Sequence, residues 1–378
     1  MSWDLESQCE DLRAQGLWRD LRLLEDVKGP IVHVDNQELI NFSSNDYLGL
    51  ATSTELMEAF KEGVSLYGAG SGASRLVSGT QRPHLQLEEA LADFKQTQAA
   101  LTFSSGYAVA LGTIPALMGA ADTIILDKLC HACLVDAARL SGATIRVFPH
   151  NHVEKLERLL STAKGRVLVV TEAIFSMDGD ACALAEIVAL KERYGAWLLL
   201  DEAHSVGVLG PQGRGLAAAL GLESKVELHM GTLSKSFGLS GGYLAASRQV
   251  IDLLINRARS LIYSTAPPPA LAHAAVHALA LLSGQEGDLR RHRLWAYLAI
   301  LQPESQPASA ILPKVIGDET QALKVSLGLK IRGFLIPAIR YPTVSRGSAR
   351  LRITCTSGHS QAQIEQLRAE LQSVDVAK

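Results

Sequence analysis

The chain has 378 residues, 47% of them hydrophobic and 20% charged, with a net charge of −3. That length can bury a large core and more than one domain, and the slightly acidic balance argues against nucleic acid as the main partner. No apolar run approaches the roughly 18 residues of a spanning helix, Met1–Glu6 lacks the basic and apolar regions of a secretion signal, and five cysteines, an odd count, suit a reducing cytoplasm.

Residues 1–43 read as an N-terminal arm, with Leu5, Cys9, Leu12 and Leu17 giving an amphipathic helix. Residues 44–270 alternate apolar runs with helical stretches. Strands are expected at Ala100–Phe103, Thr123–Leu126, Thr144–Phe148, Val167–Thr171, Trp197–Leu200, Val226–Met230 and Tyr243–Ala246. Helices such as Ala108–Leu117, Val153–Ala163 and Leu184–Tyr194 lie between them. This alternation predicts an α/β fold with a mostly parallel, doubly wound sheet. Pro267-Pro268-Pro269 breaks the chain before a helix over about 270–283. Residues 271–378 then read as a smaller α+β domain, with strands near Ala310–Val315, Phe334–Ile339 and Ala349–Thr354 and a last helix over Gln361–Leu371.

Four segments carry the chemistry. Ser104-Ser105-Gly106-Tyr107 follows an apolar strand and opens an apolar helix. Free backbone N–H groups there suit a phosphate, although the Gly-Lys-Ser/Thr ending of a nucleotide P-loop is absent. His131 follows Asp127-Lys128; its flat ring could stack on an aromatic ligand or be a simple satisfied polar group. Trp197–Leu200 reads as a buried parallel strand ending in Asp201, with His204 three positions on. Ligands of open α/β sheets bind at the carboxyl ends of strands. A carboxylate there is costly unless it meets a cation or strong donor, and a protonated pyridine nitrogen is such a partner. The alternative is a helix cap at Asp201 and a surface His204.

The fourth segment, Gly231–Gly242, holds four glycines and Lys235. Glycine lets backbone approach a flat ligand or turn sharply, and a lysine held in such a place reads as a Schiff-base lysine. The alternative is an exposed lysine in a glycine-rich turn. Cys130-His131-Ala132-Cys133 matches a CxxC pattern, but no second pair exists, so no metal site is expected. Gly68–Gly72 follows no apolar strand and makes a poor dinucleotide fingerprint.

In this order the segments resemble the fold-type I pyridoxal-phosphate enzymes, and within them the α-oxoamine synthases. Asn41-Phe42-Ser43-Ser44-Asn45-Asp46-Tyr47-Leu48-Gly49-Leu50 looks like that family's opening segment, and Gly70–Gly79 like its glycine-rich segment. Phe175–Asp180, Asp201–His204, Gly207–Gly215, Thr232–Lys235 and Leu261–Pro268 follow in family order, so the likeness spans nearly the whole chain. Only the stretch between Leu289 and Ala310 is shorter than the family's.

The resemblance implies pyridoxal phosphate as cofactor and a homodimer with its sites at the subunit interface, Gly70–Ser78 reaching across it. Lys235 would hold the cofactor covalently and later move the substrate's α-proton. Asp201 would pair with the pyridine nitrogen, His204 and Ser176 would touch the phenolic oxygen side, and His131 would stack over the ring. Gly106, Tyr107 and Thr232 would hold the phosphate. Arg352, rather than Arg350 on the same strand face, would bind the amino-acid carboxylate, and Arg19 and Thr343 would face the acyl substrate. The implied reaction is a decarboxylating condensation of L-alanine with pimeloyl-CoA, or the acyl-carrier-protein thioester, on the way to biotin. Glycine-using relatives, such as 2-amino-3-oxobutyrate–CoA ligase or aminolevulinate synthase, are the alternative. A catalytically silent protein on this fold would have lost Lys235 or Asp201, and both are present.

Overall fold

The computed structural model describes residues 3–373. Met1 and Ser2, at the head of the expected arm, and residues 374–378, at the end of the expected small domain, lie outside the described residues.

The helix expected near the start runs over Leu5–Ala14 and buries none of its residues against the rest of the chain. Three short antiparallel strands follow: β1 (Asp26–Lys28), β2 (Ile31–Val34) and β3 (Gln37–Asn41). The central sheet has seven: β4 (Ala99–Phe103), β5 (Thr123–Asp127), β6 (Thr144–Phe148), β7 (Val167–Glu172), β8 (Trp197–Asp201), β9 (Leu228–Thr232) and β10 (Gly242–Ala246). Their order is β4-β10-β9-β8-β7-β5-β6. Only β10 runs against its neighbours. Residues 233–241 join β9 to β10 without a helix, and a parallel return needs a longer crossover.

Alternation along the strands sends side chains to two sets of helices. Leu126, Val170, Leu199 and Leu244 pack with helices Gly106–Leu117, Ala132–Ser141 and Arg248–Arg257. On the opposite face, Ile125, Val169, Leu198 and Leu200 meet helices Val153–Leu160 and Leu184–Arg193. Tyr243 and Ala245 meet helices Thr54–Tyr67, Arg82–Lys95 and Pro269–Ser283. The expected doubly wound α/β sheet is therefore present.

The C-terminal part adds β11 (Ile311–Gly317), β12 (Phe334–Leu335), β13 (Ala338–Ile339) and β14 (Ala349–Thr354). Two strand expectations need correction. The run Val226–Met230 becomes a strand only at Leu228, because Glu227 turns aside to accept from Lys191 Nζ at 2.5 Å and the Leu198 N–H at 2.8 Å. The single strand expected over Phe334–Ile339 is two. Pro337 cannot continue a ladder, so β12 pairs with β3 and β13 pairs with β14 in another sheet. Residues 289–301 belong to the helix Gln285–Leu301. No helix of the described residues is long and apolar enough to cross a membrane.

Candidate active site

The carboxyl ends of β7 and β8 place two carboxylates side by side. Glu172 and Asp201 are register partners, and both are buried. Burial raises both above the usual carboxylate range; Lys235 is the main opposing influence on Asp201. Glu172 accepts the His131 N–H at 2.5 Å. Asp201 accepts the Ala203 N–H at 2.9 Å and joins no ion pair among the described residues. Such a carboxylate suits a cationic ring N–H as its missing partner.

Lys235 follows β9 in the glycine-rich turn. Its Nζ lies 2.9 Å from His204 Nε2, and His204 Nδ1 lies 2.6 Å from the Tyr47 hydroxyl. Burial lowers Lys235 to about 8, with Arg352 adding to the effect and Asp201 and Glu172 opposing it. Burial, then Lys235 and Arg352, holds His204 well below its ordinary range, so its imidazole is neutral. The turn is clamped from behind. Ser236 donates to the Val206 carbonyl at 2.8 Å, and a Cβ on Gly207 would lie 2.3 Å from Ser236 Cβ. The neighbouring Glu202 faces away, bonded to Lys95 at 2.5 Å and His229 at 3.1 Å.

The expected phosphate residues also meet. Gly106 and Tyr107 stand at the N-terminus of their helix, where the first N–H groups have no intrahelical partner. The Gly242 backbone packs so closely that a Cβ there would lie 2.7 Å from Gly106 N. The Thr232 hydroxyl donates to Gly241 O at 2.8 Å and meets the Ser234 hydroxyl at 2.7 Å. The Tyr107 hydroxyl is bonded to Asp136, so its backbone N–H is the group left to offer.

His131 caps helix Ala132–Ser141 through Nδ1, which accepts the Cys133 N–H at 3.2 Å. The residue is exposed, yet partial burial lowers its imidazole from the ordinary range, with Asp201 opposing the effect and Lys235 adding to it. Cys130 and Cys133 are buried thiols pushed up by that burial, an environment unlike that of a reactive redox pair.

Arg350 and Arg352 both project from β14 but meet different partners. Arg350 bonds Asp178 at 2.5 Å. Arg352 donates only to neutral acceptors, Ser176 O at 2.6 Å and Asn45 Oδ1 at 3.0 Å. It is 5% exposed and has no carboxylate partner among the described residues. At the rim, Arg19 donates to the Thr343 hydroxyl at 3.3 Å across 324 positions of sequence. Arg340 fastens the Gly16 and Trp18 carbonyls beside it. Thr343, Lys128 and Met177 border a cavity of about 310 Å³ next to Arg350.

Sequence reasoning passed over Tyr47, Asn45 and Glu172. The first two lay within the quoted opening segment without a role. Glu172 carried the same signal as Asp201, a carboxylate ending a buried strand, but the strand expectation stopped one residue short.

Comparisons with known proteins give the family and the fold. The family model for aminotransferase class I and II matches residues 37–371. Proteins named 8-amino-7-oxononanoate synthase from Herminiimonas arsenicoxydans and Geobacter sulfurreducens are each 44% identical to this chain. Each alignment covers 98% of this chain, and 98% and 97% of the respective relative. Among solved structures, serine palmitoyltransferase from S. paucimobilis with bound PLP–myriocin superposes with a TM-score of 0.92 at 31% identity, covering 98% of this chain and 96% of that one. The 8-amino-7-oxononanoate synthase of Francisella tularensis gives a TM-score of 0.75 at 28% identity, covering 89% of this chain and 98% of that one. The family resemblance read from the sequence is borne out: the chain belongs to the class I and II aminotransferase family, among the relatives of the 8-amino-7-oxononanoate synthases.

Proposed function

We propose that this chain is a pyridoxal-phosphate-dependent acyltransferase of biotin biosynthesis. It joins L-alanine to a pimeloyl thioester, of CoA or acyl-carrier protein, and forms 8-amino-7-oxononanoate. A carbon–carbon bond forms between the alanine α-carbon and the thioester carbonyl; the thiol and CO₂ leave. One observation carries the reading: a neutralisable Lys235 lies 2.9 Å from His204, near an unpaired buried Asp201 and a buried Arg352 without a carboxylate. That set stands in a chain 44% identical to proteins named for the product.

The residues fit the cofactor. Asp201 offers an unpaired carboxylate for the ring nitrogen, Gly106 and Tyr107 offer backbone N–H donors for the phosphate, the Thr232 hydroxyl would reach it by turning its proton from Gly241 O, and His131 is exposed enough to meet the ring. His204 and Ser176 would lie on the phenolic oxygen side. When bound, pyridoxal phosphate supplies an electron sink for charge developing at the amino acid's α-carbon.

The chain's own groups do the rest. Lys235, lowered to about 8, is partly unprotonated near neutral pH and takes the α-proton on Nζ. Arg352 offers the planar two-pronged donor that a carboxylate matches. Arg19 and Thr343 mark the mouth through which the acyl chain enters. Leu76, Val77 and Tyr263 are 52%, 79% and 72% exposed, and the Ser74–Thr265 bridge links their segments. Exposed apolar side chains of this kind support assembly as a homodimer through Gly70–Ser78.

The test supplies loaded enzyme with pimeloyl-CoA and either L-alanine or glycine, then follows thiol release and product mass. Thiol release with alanine and the mass of 8-amino-7-oxononanoate are expected. Release with glycine alone would move the chain to a glycine-using branch, and no release with any amino acid would refute the reading.

A further inference from the structure

Three side chains that this reaction does not use converge on the outside of two packed helices. His273 and His277 are one turn apart on helix Pro269–Ser283, a spacing that puts both imidazoles on one face. Their ring centroids are 4.8 Å apart. Glu62 faces them from helix Thr54–Tyr67, with its Oε2 3.4 Å from His273 Nε2.

The backbone holds this arrangement. Gly63, the next residue, lets the two helices close until a Cβ there would lie 2.9 Å from Ala270 Cα and 3.2 Å from His273 Cβ. Glu62 therefore sits at the point of closest approach. The Tyr67 ring packs against His273 at a centroid distance of 5.8 Å and limits its rotation. Ligand atoms of Glu62, His273 and His277 all lie within 4.8 Å of one another.

We propose that Glu62, His273 and His277 form a binding site for one divalent transition-metal ion, of which zinc is the best match. Two imidazoles and a carboxylate, with a fourth position left to water, suit zinc, and imidazole also suits copper and nickel. Tetrahedral ligands at about 2.0–2.1 Å from zinc lie about 3.3 Å apart. The Glu62–His273 pair already has that spacing, and Glu62 and His277 are exposed enough to turn inward. The bound ion ties the two helices together. It fastens the start of Pro269–Ser283, just beyond Pro267, whose carbonyl accepts from Ser71 at 2.6 Å. The sequence does not announce such a site, because Glu62 and His273 are 211 positions apart.

The plain alternative is a hydrogen-bonded Glu62–His273 pair with a solvated His277, and His277 separates the two readings. The cofactor-loaded full chain is dialysed against micromolar zinc and the bound metal counted; melting is followed with zinc and with chelator. The wild type is expected to hold one ion per chain and to melt higher with zinc, since binding to the native state alone stabilises it. His277→Ala, which keeps the Glu62–His273 bond, and Glu62→Gln should each weaken binding by roughly tenfold or more and abolish the melting shift. Both variants should keep wild-type thiol release in the absence of zinc. Failure of the wild type to bind zinc would overturn the proposal. So would equal stoichiometry and melting shift in both variants, because the ion would then sit elsewhere.

Discussion

Tyr47→Phe tests how the site keeps Lys235 reactive. Burial pushes the Tyr47 phenol up to about 12, so its hydroxyl keeps its proton and donates to His204 Nδ1 at 2.6 Å. The buried, neutral imidazole has one N–H. With Nδ1 accepting, that proton is assigned to Nε2, which then donates to Lys235 Nζ at 2.9 Å. Only the neutral amine can accept it. A hydrogen bond to the neutral form lowers a lysine pKa, and one such bond is worth about 1 kcal/mol net. At 1.36 kcal/mol per unit, Tyr47→Phe should raise Lys235 by roughly 0.7 unit from its value of about 8. At pH 7.5 the unprotonated fraction then falls roughly fourfold. The assay is acylation of the cofactor-free protein by a small amine reagent, with the Lys235 peptide quantified by mass spectrometry across pH. An unchanged or lowered midpoint in a folded variant would refute the relay from Tyr47 through His204.

Four further substitutions probe the carboxylate site, the lysine turn and the buried Lys95–Glu202 pair. Arg352→Lys should raise KM for L-alanine by roughly 10–100-fold, the loss of a charge-assisted planar contact. Arg350→Lys should change KM far less, because Arg350 is paired with Asp178; steady-state kinetics of both decides. Gly207→Ala puts a Cβ 2.3 Å from Ser236 Cβ at a φ of +85°. It should destabilise by about 2 kcal/mol or more, read by chemical denaturation. Lys95→Met leaves the fully buried Glu202 without its cation and should cost about 3–5 kcal/mol. Burial alone would raise Glu202, but Lys95 and His229 overcome it and hold the folded carboxyl below its ordinary range. A depressed folded value gives stability that is present above the unfolded glutamate pKa and lost as pH falls below it. The Lys95→Met variant should therefore lose less stability than wild type on acidification, and denaturation at pH 7 and at about pH 4 would show it.

Most of the central sheet was legible because its inner strands are short apolar runs buried on both faces, as in Thr123–Asp127 and, after the exposed Trp197, Leu198–Asp201. Strand edges were legible only where a side chain did not intervene. Glu227 delays β9 by binding Lys191, a contact across 36 positions that no local pattern shows. Pro337, by contrast, was a visible signal against one continuous strand over Phe334–Ile339. At the site, Lys235, Asp201 and His204 stood out because each breaks an apolar or glycine-rich context. The separate tasks of Arg350 and Arg352 could not be read from their shared strand face, because they depend on Asp178 and Asn45 in distant loops. Tyr47 was hidden for a related reason: its buried hydroxyl has meaning only beside His204, 157 positions away.

In the proposed reaction Lys235 holds pyridoxal phosphate and is released by the amino acid. The direct measurement is borohydride reduction of the loaded protein with and without L-alanine, followed by digestion and mass mapping of the trapped cofactor. The cofactor mass is expected on the peptide containing Lys235, with a sharp loss of that label when L-alanine is added first and no label in Lys235→Ala. A label on a different lysine, or a Lys235 label indifferent to L-alanine, would contradict it.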